Sequence, residues 1–273
     1  MSVFEQLGLG KLDTHFWQLL ASAAFIHFVF LAGGWLSRSN PHYARLTPLK
    51  KAAWCIHIVS VVFSVIICTA SAPIFFMPEL EADRLFGYSY YAGSVYAFAC
   101  GYFLWDTVIS IYYIKESGLG FVLHGVTCFF VFLLSFRPFL QYFGCVFLMF
   151  ELSTVFLNVH WFCDKTGRTG TRLQWINGIF LITTFFSVRI VFGFYQSYRY
   201  FATCYALWDI VPKHLFYFYA TADTILCSLN LWWFWRMIQS ITSRFKGEIS
   251  EADSSYDKTH KKAAGAVETD KTK

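Results

Sequence analysis

Seven apolar stretches, each close to the length needed to cross a bilayer, constrain this chain more than any other feature. They run over roughly 14–36, 52–76, 90–114, 121–136, 140–163, 175–196 and 214–238. A helix needs about 20 mostly apolar residues to span the hydrocarbon core. In lipid every backbone polar group must be satisfied within the segment, so such runs fold as helices. The chain is 56% hydrophobic and only 14% charged, which sets it apart from an average soluble domain. The expected fold is therefore all-α, a polytopic membrane helical bundle of about seven transmembrane helices. Residues 244–273 instead mix Lys, Glu, Asp, Ser and Thr, and read as a disordered tail. The fourth run is short and Pro138 follows it, which predicts a tight hairpin between spans four and five.

The first run is preceded by Glu5 and Asp13 as well as Lys11 and is too long for a leader's apolar region, so it reads as a retained first span. Lys and Arg alternate unevenly about the spans. Lys11, Arg84, Arg137, Arg199 and Lys213 fall on one side, whereas sixteen fall on the other, eight of them from Arg236 onward. The positive-inside rule then places the N-terminus in the lumen or exterior and the C-terminus in the cytosol. The same rule accounts for the net charge of +5 without a nucleic-acid partner. Tyr88, Tyr90, Trp161, Trp175 and Trp233 lie near the ends of runs, where amphipathic rings favour the headgroup level. The eight cysteines show no metal-ligand spacing, and P-loop, GxGxxG and HExxH patterns are absent. No metal and no bound cofactor are expected.

A charge in mid-bilayer costs about 2.5–3.5 kcal/mol on insertion scales and demands a partner, a cavity or a function. Asp106, Glu151, Arg189 and Asp223 are such charges. Arg189 and Asp223 sit at similar depth in spans six and seven, which predicts a structural ion pair between them. Glu151, Thr154 and Asn158 fall at i, i+3 and i+7, one helical stripe, and His124 and Thr127 form an i, i+3 pair on span four. Two readings fit these polar faces. Either they line a functional cavity, in which His124 acts as a base oriented by Glu151, or they hold neighbouring spans together by hydrogen bonds. His15, His27, His42, His57 and His214 lack such company and read as interface or core residues.

At these residues the chain resembles the TLC-domain family, polytopic membrane proteins that include the ceramide synthases and smaller TLC-domain-containing proteins. The resemblance covers about 48–243 and rests on GYFLWDTV at 101–108, LHGVT at 123–127, FELSTVFLNVHW at 150–161, and a glycine- and aromatic-rich sixth span reaching Ser187, Val188 and Arg189. It divides the chain into a first segment over 1–47, a TLC domain of six spans over 48–243, and the tail over 244–273. Ceramide synthases carry His-His-x-x-Thr followed by His-Asp-x-x-Asp. Here Leu123, His124 and Thr127 occupy the first pattern, and Phe150, Glu151 and Thr154 the second, so one His and one carboxylate remain. This form is more similar to the smaller TLC-domain proteins. The resemblance implies a protein of the endoplasmic reticulum acting in membrane lipid homeostasis, with membrane lipids as its partners. Asp106, Thr127, Thr154, Asn158 and Arg189 would then contact a lipid, and His124 and Glu151 would be the catalytic pair of an N-acyltransferase. Under that enzyme reading acyl-CoA enters as a co-substrate; a lipid or small-solute carrier is a further alternative.

Overall fold

The computed structural model describes residues 2–269, with side chains through Thr242 except at position 116. The expected disordered tail over 244–273 lies outside the residues described with their side chains. Two units divide the chain, residues 1–230 and 231–273; the second is helical as far as Thr269.

Helices form where the apolar runs are. We label the long ones α1 (Leu12–Leu36), α2 (Pro48–Ser71), α3 (Tyr90–Tyr112), α4 (Leu119–Leu134), α5 (Gln141–Leu148), α6 (Glu151–Lys165), α7 (Arg172–Phe185), α8 (Gly193–Ala206) and α9 (Lys213–Thr269). Among the described residues, five helical stretches are long and apolar enough to cross a membrane: Leu12–Ser39, Pro48–Phe76, Tyr90–Tyr112, Gln141–Lys165 and Arg172–Ala206. Leu119–Leu134 is apolar but short, and the seventh expected span lies within α9. Starts are capped in the usual way. Thr47 accepts from the Lys50 amide with Pro48 at the first helical position, and Thr171 accepts from the Gln174 amide.

Two irregularities were not foreseen. The fifth span is two helices, because around Met149 and Phe150 the amides bond three residues back: Phe150 to Phe147, Leu152 to Met149 and Ser153 to Phe150. The sixth is one helical stretch to Ala206 whose centre, Phe186–Phe192, is a π-helix. Both lie against each other, since a Cβ on Gly193 would come within 2.7 Å of Phe150 Cζ. Only glycine admits the Phe150 ring there.

Within residues 1–230, α3 packs on both α1 and α4, α1 packs on α2, and α6 packs on α2 and α7. Small residues allow the closest approach, as a Cβ on Gly101 of α3 would lie 2.5 Å from the Leu19 carbonyl oxygen of α1. The core is aromatic. Phe63 stacks on Tyr102 at 3.5 Å between centroids, and Phe103 on Phe132 at 5.7 Å.

Candidate functional site

The polar stripe of α6 meets a second stripe that sequence reading overlooked. His57, Ser60 and Ser64 of α2 also fall at i, i+3 and i+7, and face α6 residue by residue. Asn158 Nδ2 donates to Ser60 Oγ (2.9 Å) and to the Thr154 carbonyl (2.8 Å). That fixes its Oδ1 toward His57, whose Nδ1 lies 2.6 Å away and so carries the proton. The His57 ring stacks on Trp161 with centroids 3.9 Å apart. Ser64 Oγ donates to Glu151 Oε2 at 3.2 Å. His57 therefore has company, and its spacing to Ser60 and Ser64 was the signal that could have found it.

Arg189 binds Glu151, not Asp223. Its Nη2 stands 3.6 Å from Glu151 Oε1, both side chains buried. The predicted Arg189–Asp223 pair is not formed; Asp223 instead accepts from Ser197 Oγ at 2.7 Å. The π-helix explains the change of partner. Each π-turn holds an extra residue, so the face presented at Arg189 is not the one an unbroken α-helix would give. The break before Glu151 supplies another acceptor. Arg189 Nε donates to the Phe150 carbonyl (3.1 Å) and to Ser153 Oγ (2.9 Å), Nη2 to Thr154 Oγ1 (2.9 Å) and Nη1 to Asn230 Oδ1 (3.2 Å). The guanidinium also lies over the rings of Phe185 and Phe150. A buried ion pair needs this many additional bonds to offset the desolvation of its charges.

His124 lies in the same neighbourhood. A cavity among these helices is lined by His124, Glu151, Arg189 and Asn230, with Phe103, Cys128, Phe132, Phe147, Phe150 and Leu226 as its main apolar walls. Its void is about 390 Å³ out to its opening, and the enclosed part is narrow, with room for one or two waters. His124 approaches Cys128 Sγ and sits edge-on to Phe103. Hence His124 and Glu151 share a cavity, while the hydrogen bond and ion pair given for Glu151 run to Ser64 and Arg189.

The other expected residues are placed as follows. Thr154 and Asn158 belong to the network between α2, α6 and Arg189. Asp106 is half-buried with its carboxylate against α4, where a Cβ on Gly125 would come within 3.0 Å of Oδ2. Thr127 is buried on α4. Neither Asp106 nor Thr127 lines the cavity. Asn230 does, and sequence reading missed it, although it falls at i+7 from Asp223 on the same helical face. Among the described residues no three His, Cys, Asp or Glu side chains gather as a metal site.

Comparison with known proteins points the same way. The family model for the TLC domain matches residues 53–239. An uncharacterized TLC domain-containing protein of Schizosaccharomyces pombe is 39% identical over 89% of this chain and 84% of its own length. Topoisomerase I damage affected protein 4 of Saccharomyces cerevisiae is 32% identical over 72% of this chain and 73% of its own. Human TLC domain-containing protein 4 is 31% identical over 62% and 68%. No solved structure matches the chain. With a buried Glu–Arg centre inside a multi-pass helical bundle, and a family match over most of its length, this chain belongs to the TLC-domain family.

Proposed function

We propose that this chain acts in membrane lipid homeostasis by binding a lipid inside its bundle, as a protein of the endoplasmic reticulum with a lumenal N-terminus and a cytosolic C-terminus. One observation carries the reading: a cavity inside the helical bundle combines apolar walls with His124, Glu151, Arg189 and Asn230. Polar groups few in number and fixed in place, set among aromatic walls, are what a small-molecule site requires. The space is narrow, so a guest enters as the aromatic walls turn aside. The compartment rests on family likeness and the orientation on the Lys and Arg asymmetry. A glycosylation sequon added at the N-terminus tests the orientation, since only a lumenal site is modified; sensitivity of that glycan to endoglycosidase H tests the compartment.

Lipid profiling of cells carrying His124→Leu or Asn230→Leu tests the function. Phospholipid or sphingolipid proportions should shift with total ceramide synthesis intact; an unchanged profile in both variants sinks the reading.

The N-acyltransferase reading keeps one supporting observation, that His124 and Glu151 line one cavity. Against it, Glu151 is engaged by Arg189 and Ser64, an arrangement that favours holding charge over orienting a base. Purified protein given acyl-CoA and a sphingoid base separates the two. CoA release abolished by His124→Ala establishes the enzyme, and no release leaves lipid binding.

A further inference from the structure

Beside the polar cavity lies an apolar one. It measures about 500 Å³ out to its opening and reaches Leu140, Phe143, Tyr200, Tyr219 and Asp223. Val131, Phe132, Phe147 and Leu226 line both spaces. On α9, Asp223, Leu226 and Asn230 fall at i, i+3 and i+7, so one helical face runs about 10 Å past both. The two spaces are thus neighbours along one wall.

Their chemistry differs at one decisive atom. In the polar cavity the charge of Arg189 is already matched by Glu151. Asn230 Oδ1 is taken by Arg189 Nη1, which settles the orientation of the amide. Its Nδ2 is then left without an acceptor, although Asn230 is only 2% exposed. A buried donor left unmatched is costly. An uncharged acceptor answers it. A phosphate or carboxylate would bring an unbalanced charge into a neutral, largely apolar space, and an ammonium has no lone pair to offer.

We infer that the two cavities form one site for an uncharged acyl lipid, with its ester or amide carbonyl on Asn230 Nδ2 and its hydrocarbon chain running past Leu226 toward Tyr200 and Tyr219. This rests on the lipid-binding reading above and adds the class and direction of the guest. The chain occupies its path by turning the Phe132 and Phe147 rings. Asp223, already accepting from Ser197, stands on the wall of the apolar arm and takes no part in holding the head.

Three photoreactive probes with the same twelve-carbon, diazirine-bearing chain test this on the full-length protein in nanodiscs. One ends in a methyl ester, one in a primary amine and one in a phosphate monoester; labelled peptides are read by mass spectrometry. The ester should label best, at Val131, Phe132, Phe147 or Leu226. Asn230→Leu, and Asn230→Asp, which keeps an acceptor for Arg189, should each lower ester labelling roughly five- to tenfold, the worth of one buried hydrogen bond. The inference is overturned if the amine labels best and depends on Asp223, if the phosphate labels best, or if folded Asn230 variants label like the parent. The ranking of probes on the unaltered chain decides even where a variant does not fold. If no probe labels either cavity, lipid binding itself has failed, a result distinct from the wrong probe winning.

Discussion

Arg189 and Glu151 hold each other across two helical irregularities: Nη2 and Oε1 are 3.6 Å apart, one residue inside a π-helix and the other at the first position after a break. Removing either partner strands a buried charge. Arg189→Met or Glu151→Leu should each destabilise the protein by about 3–5 kcal/mol, and the double variant should recover much of that loss. Thermal unfolding in one detergent, analysed as a double-mutant cycle, checks it; additive losses would contradict the pairing.

The α2–α6 contact should be weaker but measurable. His57→Phe keeps a ring to stack on Trp161 and leaves Asn158 Oδ1 without its donor. Interhelical hydrogen bonds in membranes are worth roughly 0.6 kcal/mol on average, and up to about 1.7. A loss of about 1 kcal/mol is expected for His57→Phe, and Asn158→Leu should cost less on that background than in the parent, because only its bonds to Ser60 and Thr154 then remain to be lost. A full second loss would mean that the two side chains act separately.

Gly193→Ala should cost about 1–3 kcal/mol by overpacking, since its new methyl group meets the Phe150 ring. Phe150→Leu on that background should restore part of the stability. If Gly193→Ala is neutral by thermal unfolding, the close approach is not a constraint.

Outside the spans, Glu81 bonds Arg84, and that bond, with a second from Tyr142, holds the Glu81 carboxyl below its usual range. A depressed carboxylate pKa contributes stability above the unfolded value of about 4.3, and the contribution disappears as pH falls through the lower folded value. The pair is substantially exposed, so Glu81→Gln should cost at most about 0.5 kcal/mol at neutral pH and nothing by about pH 2. Unfolding measured at both pH values tests the sign.

Much of this was legible in the sequence, for identifiable reasons. The placing of the helical segments followed from apolar runs of bilayer length, and the inward stripe of Glu151, Thr154 and Asn158 from its spacing. The partner of Arg189 was not legible, because depth in the membrane suggested Asp223 while the π-helix set which side Arg189 presents. His57 was passed over for lack of charged neighbours, though its own i+3 and i+7 serines marked the stripe. Asp106 and Thr127 shared a motif with the cavity but not its wall. Asn230 stood at i+7 from Asp223, a spacing that marks a shared face, but only the packed bundle brings its amide to Arg189.

The separation of Glu151 and Arg189 along the chain also bears on biogenesis. The segment carrying Glu151 emerges from the ribosome a full helix before its counter-charge, and on its own would bring an unpaired carboxyl group toward lipid. Ser64, already made, offers one hydrogen bond; Arg189 brings the positive charge later. If insertion follows this pairing, the fifth span would leave the translocation channel most readily together with the sixth, because only then is the Glu151 charge matched.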